Sequence, residues 1–306
     1  MEYFNLRDTS LKVSRIGLGL MRLKDKTPEE AKRIIKTALD VGINFFDHAD
    51  IYGDGVSEQK FSAAIKALET RREDLIIQSK VGIRRDIGYD FSYAHIIESV
   101  DGILKRLDTS YLDILLLHRP DMLYEPPEIA RAFKELHASG KVRYFGVSNM
   151  HQFQLSYLQK EVGFPLLVNQ LQFSLGHLPL VSSGIFANHG SPQSNHHALG
   201  LLDYMREHKI LMQAWSPFLF GNFAGVYIDH PEFKELNTLL DEFSTKYGVT
   251  KEAISIAFIL RHPAGIQPII GTMNTERIKA VAKAVNITLS REDWYALFKA
   301  AGNHVP

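Results

Sequence analysis

Short apolar runs alternate along the chain with longer segments in which apolar residues recur every three or four positions. The short runs are apolar on both faces, which is typical of buried parallel strands. Eight such runs lie at residues 16–20, 43–46, 75–79, 112–117, 144–147, 166–168, 210–213 and 267–270. The longer segments have the helical period and lie at residues 28–41, 57–68, 93–107, 129–139, 150–159, 199–207, 233–247, 251–261, 275–284 and 291–300. The pattern therefore predicts a regular alternation of strands and helices.

The first helical segment carries clear signals at both of its ends. Thr27 precedes the segment as a predicted N-cap, and Glu30 stands three residues later, where it completes a capping box. Gly42 follows the last periodic residue, and a left-handed helix end favours glycine at that position. These signals set the bounds of the helix independently of its apolar pattern.

Eight strand–helix units with right-handed crossovers close most simply into a (β/α)8 TIM barrel. An open doubly wound sheet is the alternative, but the first strand, Gly17-Leu18-Gly19-Leu20-Met21, lacks the third glycine of a dinucleotide-binding turn. Outside the eight units we expect an N-terminal hairpin at residues 3–13, a long loop at residues 175–197 and extra C-terminal helices. No linker divides the chain, so residues 1–306 are expected to form one domain.

Composition limits the possible functions of the chain. Its 306 residues include 35 Lys and Arg against 35 Asp and Glu, and this balance argues against nucleic acid as the main partner. The absence of cysteine excludes disulfides, thiolate metal sites and thiol nucleophiles. No export signal or membrane-spanning segment is recognisable, so we expect a soluble, cytoplasmic protein.

Polar residues follow the apolar runs, at the strand ends where barrel enzymes hold their reactive groups. Asp47 and Tyr52 follow the second run, Lys80 the third and His118 the fourth. A lysine held by an aspartate could lower the pKa of a neighbouring tyrosine, while a neutral histidine donates a hydrogen bond to a substrate oxygen. This set suits protonation of a carbonyl oxygen during hydride transfer, with the hydride coming from a cofactor.

Several stretches together resemble the aldo-keto reductase family, and most closely its bacterial oxidoreductase branch. They are GINFFDHADIYG at 42–53, Lys80, LLLHRPD at 115–121, GKVRYFGVSN at 140–149, Asn169-Gln170, Trp215-Ser216-Pro217 and PIIGT at 268–272. The resemblance runs from the hairpin to the last helix. It implies a TIM barrel that reduces an aldehyde or ketone with NAD(P)H.

The resemblance also assigns roles to individual residues. It makes Tyr52 the general acid, Lys80 and Asp47 its pKa-lowering partners and His118 the orienting hydrogen-bond donor. The residues implied to bind the cofactor are Met21, Arg22, Ser148, Asn149, Gln170, Phe173, Ser216, Leu219, Gly221, Gly271, Thr272 and Arg277. Among these, Phe173 is expected to stack on the nicotinamide.

The expected cofactor is NADP, with NADPH preferred over NADH. Arg277 matches the region that binds the 2′-phosphate in the family, and a guanidinium suits a phosphate in both charge and geometry. Many members carry a basic residue where this chain has Gly271, so its NADPH affinity should be lower than theirs.

Other interpretations and properties remain open from the sequence. One alternative is a cofactor-binding regulatory subunit with slow turnover. Another is a metal-dependent barrel hydrolase built on His48, Asp50 and His118, although Lys80 has no place in such a site. We expect a small-molecule carbonyl substrate, no metal, and a monomer or weak homo-oligomer. Substrate identity depends on the loops at 84–93, 175–197 and 218–229.

Overall fold

Short strands are distributed along the whole described part of the chain, which in this computed structural model comprises residues 1–185, 198, 200–221 and 223–305. In chain order they are β1 (Tyr3–Asn5), β2 (Lys12–Ser14), β3 (Gly17–Gly19), β4 (Phe45–Asp47), β5 (Ile76–Val81), β6 (Ile83–Arg84), β7 (Gly88–Tyr89), β8 (Leu112–Leu117), β9 (Val142–Ser148), β10 (Leu166–Gln172), β11 (Leu211–Trp215), β12 (Leu219–Phe220), β13 (Gly225–Val226) and β14 (Gln267–Ile270).

Helices connect the strands in alternation with them. They are α1 (Pro28–Asp40), α2 (Val56–Ala67), α3 (Tyr93–Leu107), α4 (Pro126–Ala138), α5 (Gln152–Val162), α6 (Pro179–Ile185), α7 (Leu201–Glu207), α8 (Lys234–Tyr247), α9 (Lys251–Leu260), α10 (Thr275–Ala282) and α11 (Arg291–Ala300). The capping box predicted for the first helix is present, because the Thr27 side chain accepts from the Glu30 N–H and the Glu30 carboxylate accepts from the Thr27 N–H.

Eight of the strands form a closed parallel barrel. Their order around the barrel is β3, β4, β5, β8, β9, β10, β11 and β14, and β14 pairs with β3 to close it. All eight neighbouring pairs are parallel, so every strand ends at the same rim. The structure is therefore the predicted (β/α)8 TIM barrel, and each of the eight predicted runs supplies one barrel strand.

Apolar side chains pack in two layers on either side of the barrel wall. Inward-facing residues such as Phe45, Ile114 and Val168 fill the barrel together with Leu6 and Leu11 of the N-terminal hairpin. The hairpin pairs β1 with β2 and covers the barrel floor, as predicted. A larger cluster fills the space between the strands and the surrounding helices. With the floor covered in this way, the opposite rim carries the open end of the barrel.

Some predicted bounds need correction. The loop expected at 175–197 contains α6, which begins at Pro179, a residue whose fixed φ suits the first turn of a helix. Residues 186–197, with His189, His196 and His197, lie outside the described residues. The strand predicted at 166–168 runs on to Gln172, because polar side chains in it bond inside the barrel rather than end the strand.

The length and the hydropathy of the described helices decide whether any of them could cross a bilayer. None of them combines the length and the apolar character that crossing a membrane requires.

Candidate active site

A cavity of about 540 Å³ opens at the rim where the barrel strands end. This volume lies in the range typical of pockets for small molecules and cofactors. Most of the predicted site residues line it, namely Met21, Arg22, Asp47, Tyr52, His118, Ser148, Asn149, Gln170, Ser216, Leu219, Gly271, Thr272 and Arg277. The position agrees with the general placement of active sites in TIM barrels.

Lys80 does not itself line the cavity, but it contacts Asp47 and Tyr52, two predicted catalytic residues that do. Its side chain is fully buried. The Nζ atom donates to Asp47 Oδ2 at 2.6 Å, to the His48 carbonyl oxygen at 2.8 Å and to Tyr52 Oη at 3.3 Å. Burial lowers the pKa of Lys80, but the charges of Asp47 and Tyr52 and the hydrogen bonds to both residues together raise it by more, so that the pKa lies above its ordinary value. The lysine is therefore charged and fixed in one position.

The pKa of Tyr52 departs from its ordinary value in the direction opposite to our expectation. Burial raises the pKa of this phenol, the charge of Lys80 lowers it and the charge of Asp47 raises it, with a net shift upward. The carboxylate that holds the lysine thus offsets part of the effect of the lysine. Tyr52 is protonated at neutral pH, and its hydroxyl borders the cavity.

His118 is a neutral neighbour of the tyrosine. Its ring meets the Tyr52 ring edge to face, with 6.1 Å between the centroids. Burial lowers the pKa of His118 well below its usual value, and the charges of Lys80 and Arg119 add to the effect. An imidazole that stays neutral can donate one hydrogen bond without carrying a charge.

A layer of glutamine side chains inside the barrel holds Asp47 from below, and the sequence argument missed it. The Nε2 atoms of Gln78 and Gln170 donate to Asp47 Oδ1 at 2.6 and 3.1 Å, and both also donate to Gln213 Oε1. Gln213 in turn donates to Gln267 Oε1 at 2.9 Å. The available signal was a glutamine within three of the apolar runs, Gln78, Gln213 and Gln267, because a buried polar side chain requires a partner.

The residues expected at the carboxamide end of a cofactor form a connected group. Ser148 Oγ donates to the Gln170 carbonyl oxygen at 2.8 Å. Asn149 Nδ2 donates to the His118 carbonyl oxygen at 3.2 Å, and Asn149 Oδ1 accepts from Trp215 Nε1 at 3.1 Å. These bonds tie the ends of β8, β9, β10 and β11 into one rigid wall.

The structure does not bring Phe173 to the cavity. Its ring is 1% exposed and packs in the layer between strands and helices, stacked on Phe258 with 6.5 Å between the centroids. Phe173 directly follows Gln172, the last residue of β10, and its stacking partner Phe258 belongs to α9. Aromatic rings that do line the cavity include the indole of Trp215, which stacks on the ring of Phe223 with 5.5 Å between the centroids.

The segment after β11 forms a small hairpin beside the cavity. Ser216 and Leu219 border the open space, and Ser216 has a left-handed φ of 51°. Gly221 lies at the turn, where its carbonyl oxygen accepts from Gln172 Nε2 at 2.8 Å, and it does not line the cavity. The hairpin is therefore tied to the barrel at its tip.

Gly271, Thr272 and Arg277 border another part of the same cavity. A Cβ added to Gly271 would meet no atom within 4 Å, so the backbone faces open space there. Arg277 lies in the first turn of α10, and its N–H bonds to the N-cap side chain of Asn274. The Arg277 Nε atom donates to Glu252 Oε1 at 3.1 Å. This acidic partner was not among the residues predicted from the sequence.

The side chains considered for a metal site are separated. His48 is fully buried against Phe61, and burial lowers its pKa to about 3. Within the part of the chain that the structure describes, no three His, Asp or Glu side chains are grouped so that they could hold a metal ion. The described geometry gives the hydrolase alternative no support.

Comparison with known proteins agrees with this geometry. The model of the aldo/keto reductase family matches residues 15–301. A 6-dehydroglucose reductase of Agrobacterium fabrum is 34% identical, with 95% of each chain aligned. Oxidoreductase YdhF of Escherichia coli is 35% identical, with 96% of this chain and 95% of the relative aligned.

Among solved structures, an aldo-keto reductase from Klebsiella pneumoniae in complex with NADPH superposes with a TM-score of 0.78, covering 96% of this chain and 93% of that one. At 23% identity this likeness shows the fold. The family model extends over nearly all of a barrel whose rim carries the motifs described above, and the chain belongs to the aldo/keto reductase family of oxidoreductases.

Proposed function

We propose that this protein reduces an aldehyde or ketone to the alcohol with a nicotinamide cofactor, and that Tyr52 is the general acid. The observation that carries the proposal is the position of the buried Lys80 ammonium group, 2.6 Å from Asp47 and 3.3 Å from the Tyr52 hydroxyl, two residues that line the cavity. A buried cation beside a phenol, with a neutral imidazole next to it, suits an oxygen that gains negative charge and then a proton.

Lys80 orients the proton of Tyr52 rather than lowering its pKa below the ordinary value. Because the ammonium group donates to the phenol oxygen, the O–H bond of Tyr52 is free to point into the cavity. Once the proton has moved to the substrate oxygen, the same ammonium group stabilises the phenolate that remains. His118 donates to the substrate oxygen and holds it within reach of Tyr52.

The cofactor would lie along the rim of the barrel. When bound, a reduced nicotinamide supplies the hydride that protein side chains cannot supply. Ser148, Asn149 and Gln170 would hold the carboxamide, and the indole of Trp215, which stacks on Phe223 in this structure, would stack on the nicotinamide in the role expected for Phe173. Ser216 and Leu219 would border the pyrophosphate, with Gly221 holding the hairpin turn, and Met21 and Arg22 the ribose side.

We assign NADPH as the preferred cofactor on the basis of the part of the cavity around Arg277. The guanidinium borders the cavity in the first turn of α10, where the helix N-terminus adds a further attraction for a phosphate. Gly271 leaves open space, and Thr272 lines the cavity beside it. A dianionic 2′-phosphate would compete with Glu252 for Arg277, so Glu252 would weaken the preference for NADPH that Arg277 creates.

The decisive experiment replaces the proposed acid. Y52F should lower kcat/KM for aldehyde reduction by at least about 100-fold, because general acid catalysis contributes that much or more. Cofactor affinity, measured by fluorescence titration, should change little because the ring is retained. Y157F is a matched control, since Tyr157 is an exposed residue of α5.

The outcome also separates the two remaining interpretations. Steady oxidation of NADPH by simple aldehydes supports an enzyme, whereas tight cofactor binding with negligible turnover would identify a regulatory subunit. If Y52F kept the turnover of the unmodified protein, Tyr52 would not be the acid.

A further inference from the structure

Arg119 is a charged residue of the cavity to which the proposed reduction assigns no role. It follows His118 at the end of β8, lines the cavity and is only partly exposed. Its guanidinium lies over the indole of Trp215, with 5.4 Å from the Cζ atom to the ring centroid. Trp215 is itself held by Asn149, which is bonded to the backbone of His118. The guanidinium therefore rests on a fixed aromatic platform beside the reacting groups.

No acidic side chain neutralises this guanidinium. Within the described ranges, Arg119 has neither an ion pair within 4 Å nor a hydrogen-bond acceptor. The nearest carboxylate along the chain is that of Asp121, whose two oxygens accept from the N–H groups of Phe91 and Leu123 at 2.9 and 2.8 Å. The remaining residues, 186–197, 199, 222 and 306, include no aspartate or glutamate.

The other charged groups around the cavity differ from Arg119 in this respect. Most are paired: Asp47 with Lys80 at 2.6 Å, Glu252 with Arg277 at 3.1 Å and Asp229 with Lys251 at 2.6 Å. Arg22 has no ion pair in the described structure, but it is exposed and water can satisfy it. Close to Tyr52 and His118 the described cavity wall thus carries one uncompensated positive charge, that of Arg119.

A partly buried guanidinium with five unmatched donors is complementary to an oxyanion. Its planar fork binds a carboxylate through two parallel hydrogen bonds. The position of the fork also restricts the ligand, because Arg119 is the immediate neighbour of His118 and its charge acts on both His118 and Tyr52. An anion bound there would be close to the carbonyl group under reduction.

From this geometry, and resting on the proposed reductase function, we propose that the substrates are oxo-carboxylates: aldehydes or ketones whose carboxylate is bound by Arg119. The carbonyl oxygen then lies at Tyr52 and His118. The carbon gains a hydride from the reduced cofactor, the oxygen gains the proton of Tyr52, and the carboxylate is unchanged. Arg119 is thus a specificity-determining residue.

The test compares 4-oxobutanoate with its methyl ester, which keeps the aldehyde and removes the charge. We expect the unmodified protein to prefer the acid in kcat/KM by about tenfold or more, the value of a charge-assisted hydrogen bond. R119M should bring the ratio of acid to ester close to one, mainly through a higher KM for the acid, while reduction of the ester is retained. R119K, which keeps the charge without the fork, should give an intermediate ratio.

R131M is the matched control, because Arg131 also lies over an aromatic ring, that of Tyr93 at 3.6 Å, but outside the cavity. It should leave the ratio unchanged. Equal kcat/KM for acid and ester in the unmodified protein, or an equal loss for both in R119M, would overturn the inference while the proposed function stands.

A binding measurement keeps the two proposals separable. Butanedioate cannot be reduced at a carbonyl, and its binding is followed by the fluorescence of the two tryptophans, of which Trp215 lies in the cavity. We expect the dissociation constant to rise about tenfold or more in R119M and to stay the same in R131M. If the protein reduced no carbonyl compound, the proposed function would fail, and this titration would still decide the role of Arg119.

Discussion

Glu252 and Arg277 form an ion pair where the cavity is bordered by Gly271 and Thr272. The carboxylate of Glu252 accepts a hydrogen bond from the Arg277 guanidinium. We propose that the same guanidinium binds the 2′-phosphate of NADPH. The pair is partly exposed, so its own contribution to stability is small. Its effect on the choice of cofactor is larger, because the acid repels a phosphate and competes with it for the same donors.

Substitutions of Arg277 and Glu252 should change the preference for NADPH over NADH in opposite directions. R277A should raise the dissociation constant of NADPH by about tenfold or more, as expected for the loss of a charge-assisted hydrogen bond, and leave NADH nearly unchanged. E252Q should act in the opposite direction and tighten NADPH, because it removes the competing charge without changing the shape of the side chain. Both constants can be measured by fluorescence titration.

The two variants serve as controls for each other. An equal loss of NADPH and NADH in R277A would rule out a contact with the 2′-phosphate. Weaker NADPH binding in E252Q would indicate that Glu252 positions the guanidinium rather than competing for it.

Among the secondary-structure elements, the small hairpin of β6 and β7 begins next to a glycine that packs closely against an aromatic ring. Gly82, between β5 and β6, has a φ of 105°, and a Cβ added there would overlap the ring of Phe91. Gly88 in the same hairpin has a similar φ of 110°, but a Cβ there would meet no atom within 4 Å. Alanine at either position is strained by the positive φ, but only alanine at position 82 also overlaps Phe91. Comparing the two substitutions therefore separates the free-energy cost of the backbone conformation from the cost of the overlap.

The prediction for these glycines compares two alanine variants in urea unfolding. G88A should lower the free energy of unfolding by about 1 kcal/mol, since alanine is strained at a positive φ. G82A should lower it by a further 1–3 kcal/mol or so, because the ring of Phe91 has to move as well. An equal loss of unfolding free energy in G82A and G88A would contradict the prediction, because it would mean that the Phe91 ring moves aside at no cost in free energy.

At the scale of the whole molecule, buried titratable groups behind the active site link stability to pH. Asp50 lies beside Lys80, whose carbonyl oxygen accepts from the Asp50 N–H, and in the described structure the buried Oδ1 atom of Asp50 has no hydrogen-bond partner. Burial raises the pKa of Asp50 to about 7, and the charge of Glu58 adds to the effect, whereas Arg106 and Lys80 oppose it. The folded protein thus keeps a proton that an unfolded chain releases near pH 3.9 or so.

The sign of the resulting pH dependence follows from this difference. Between about pH 4 and pH 7, the contribution of Asp50 to stability falls as pH rises, by up to about 1.4 kcal/mol per pH unit. The D50N variant cannot bind this proton. The free energy of unfolding of D50N minus that of the unmodified protein should therefore rise between about pH 4 and pH 7 and stay constant above about pH 7. D54N, at a side chain that is 73% exposed, is the control that replaces a surface carboxylate in the same way. Urea titrations at several pH values measure both, and a constant difference for D50N would contradict the prediction.

The sequence was sufficient to predict the barrel and the strand ends that meet at its rim, although Phe173 and Gly221 do not line the cavity there. The hydrophobic period and the helix ends are local signals, and each of the eight predicted runs supplied a barrel strand. Once eight parallel strands close into a barrel, their ends must meet at one rim. Asp47, Lys80 and His118 therefore come together although they are far apart along the chain.

Only the tertiary structure decided which groups are partners. It placed Trp215 rather than Phe173 at the cavity, joined Glu252 to Arg277 and left Arg119 without a carboxylate. It also reversed the expected shift in the pKa of Tyr52, because burial and Asp47 together outweigh Lys80. Such outcomes depend on burial and on distances between remote segments, which the local pattern of a chain does not contain. The sequence determined which strand ends meet at the rim, and the packing of the barrel determined which side chains line the cavity and which of them are paired, neutral or charged.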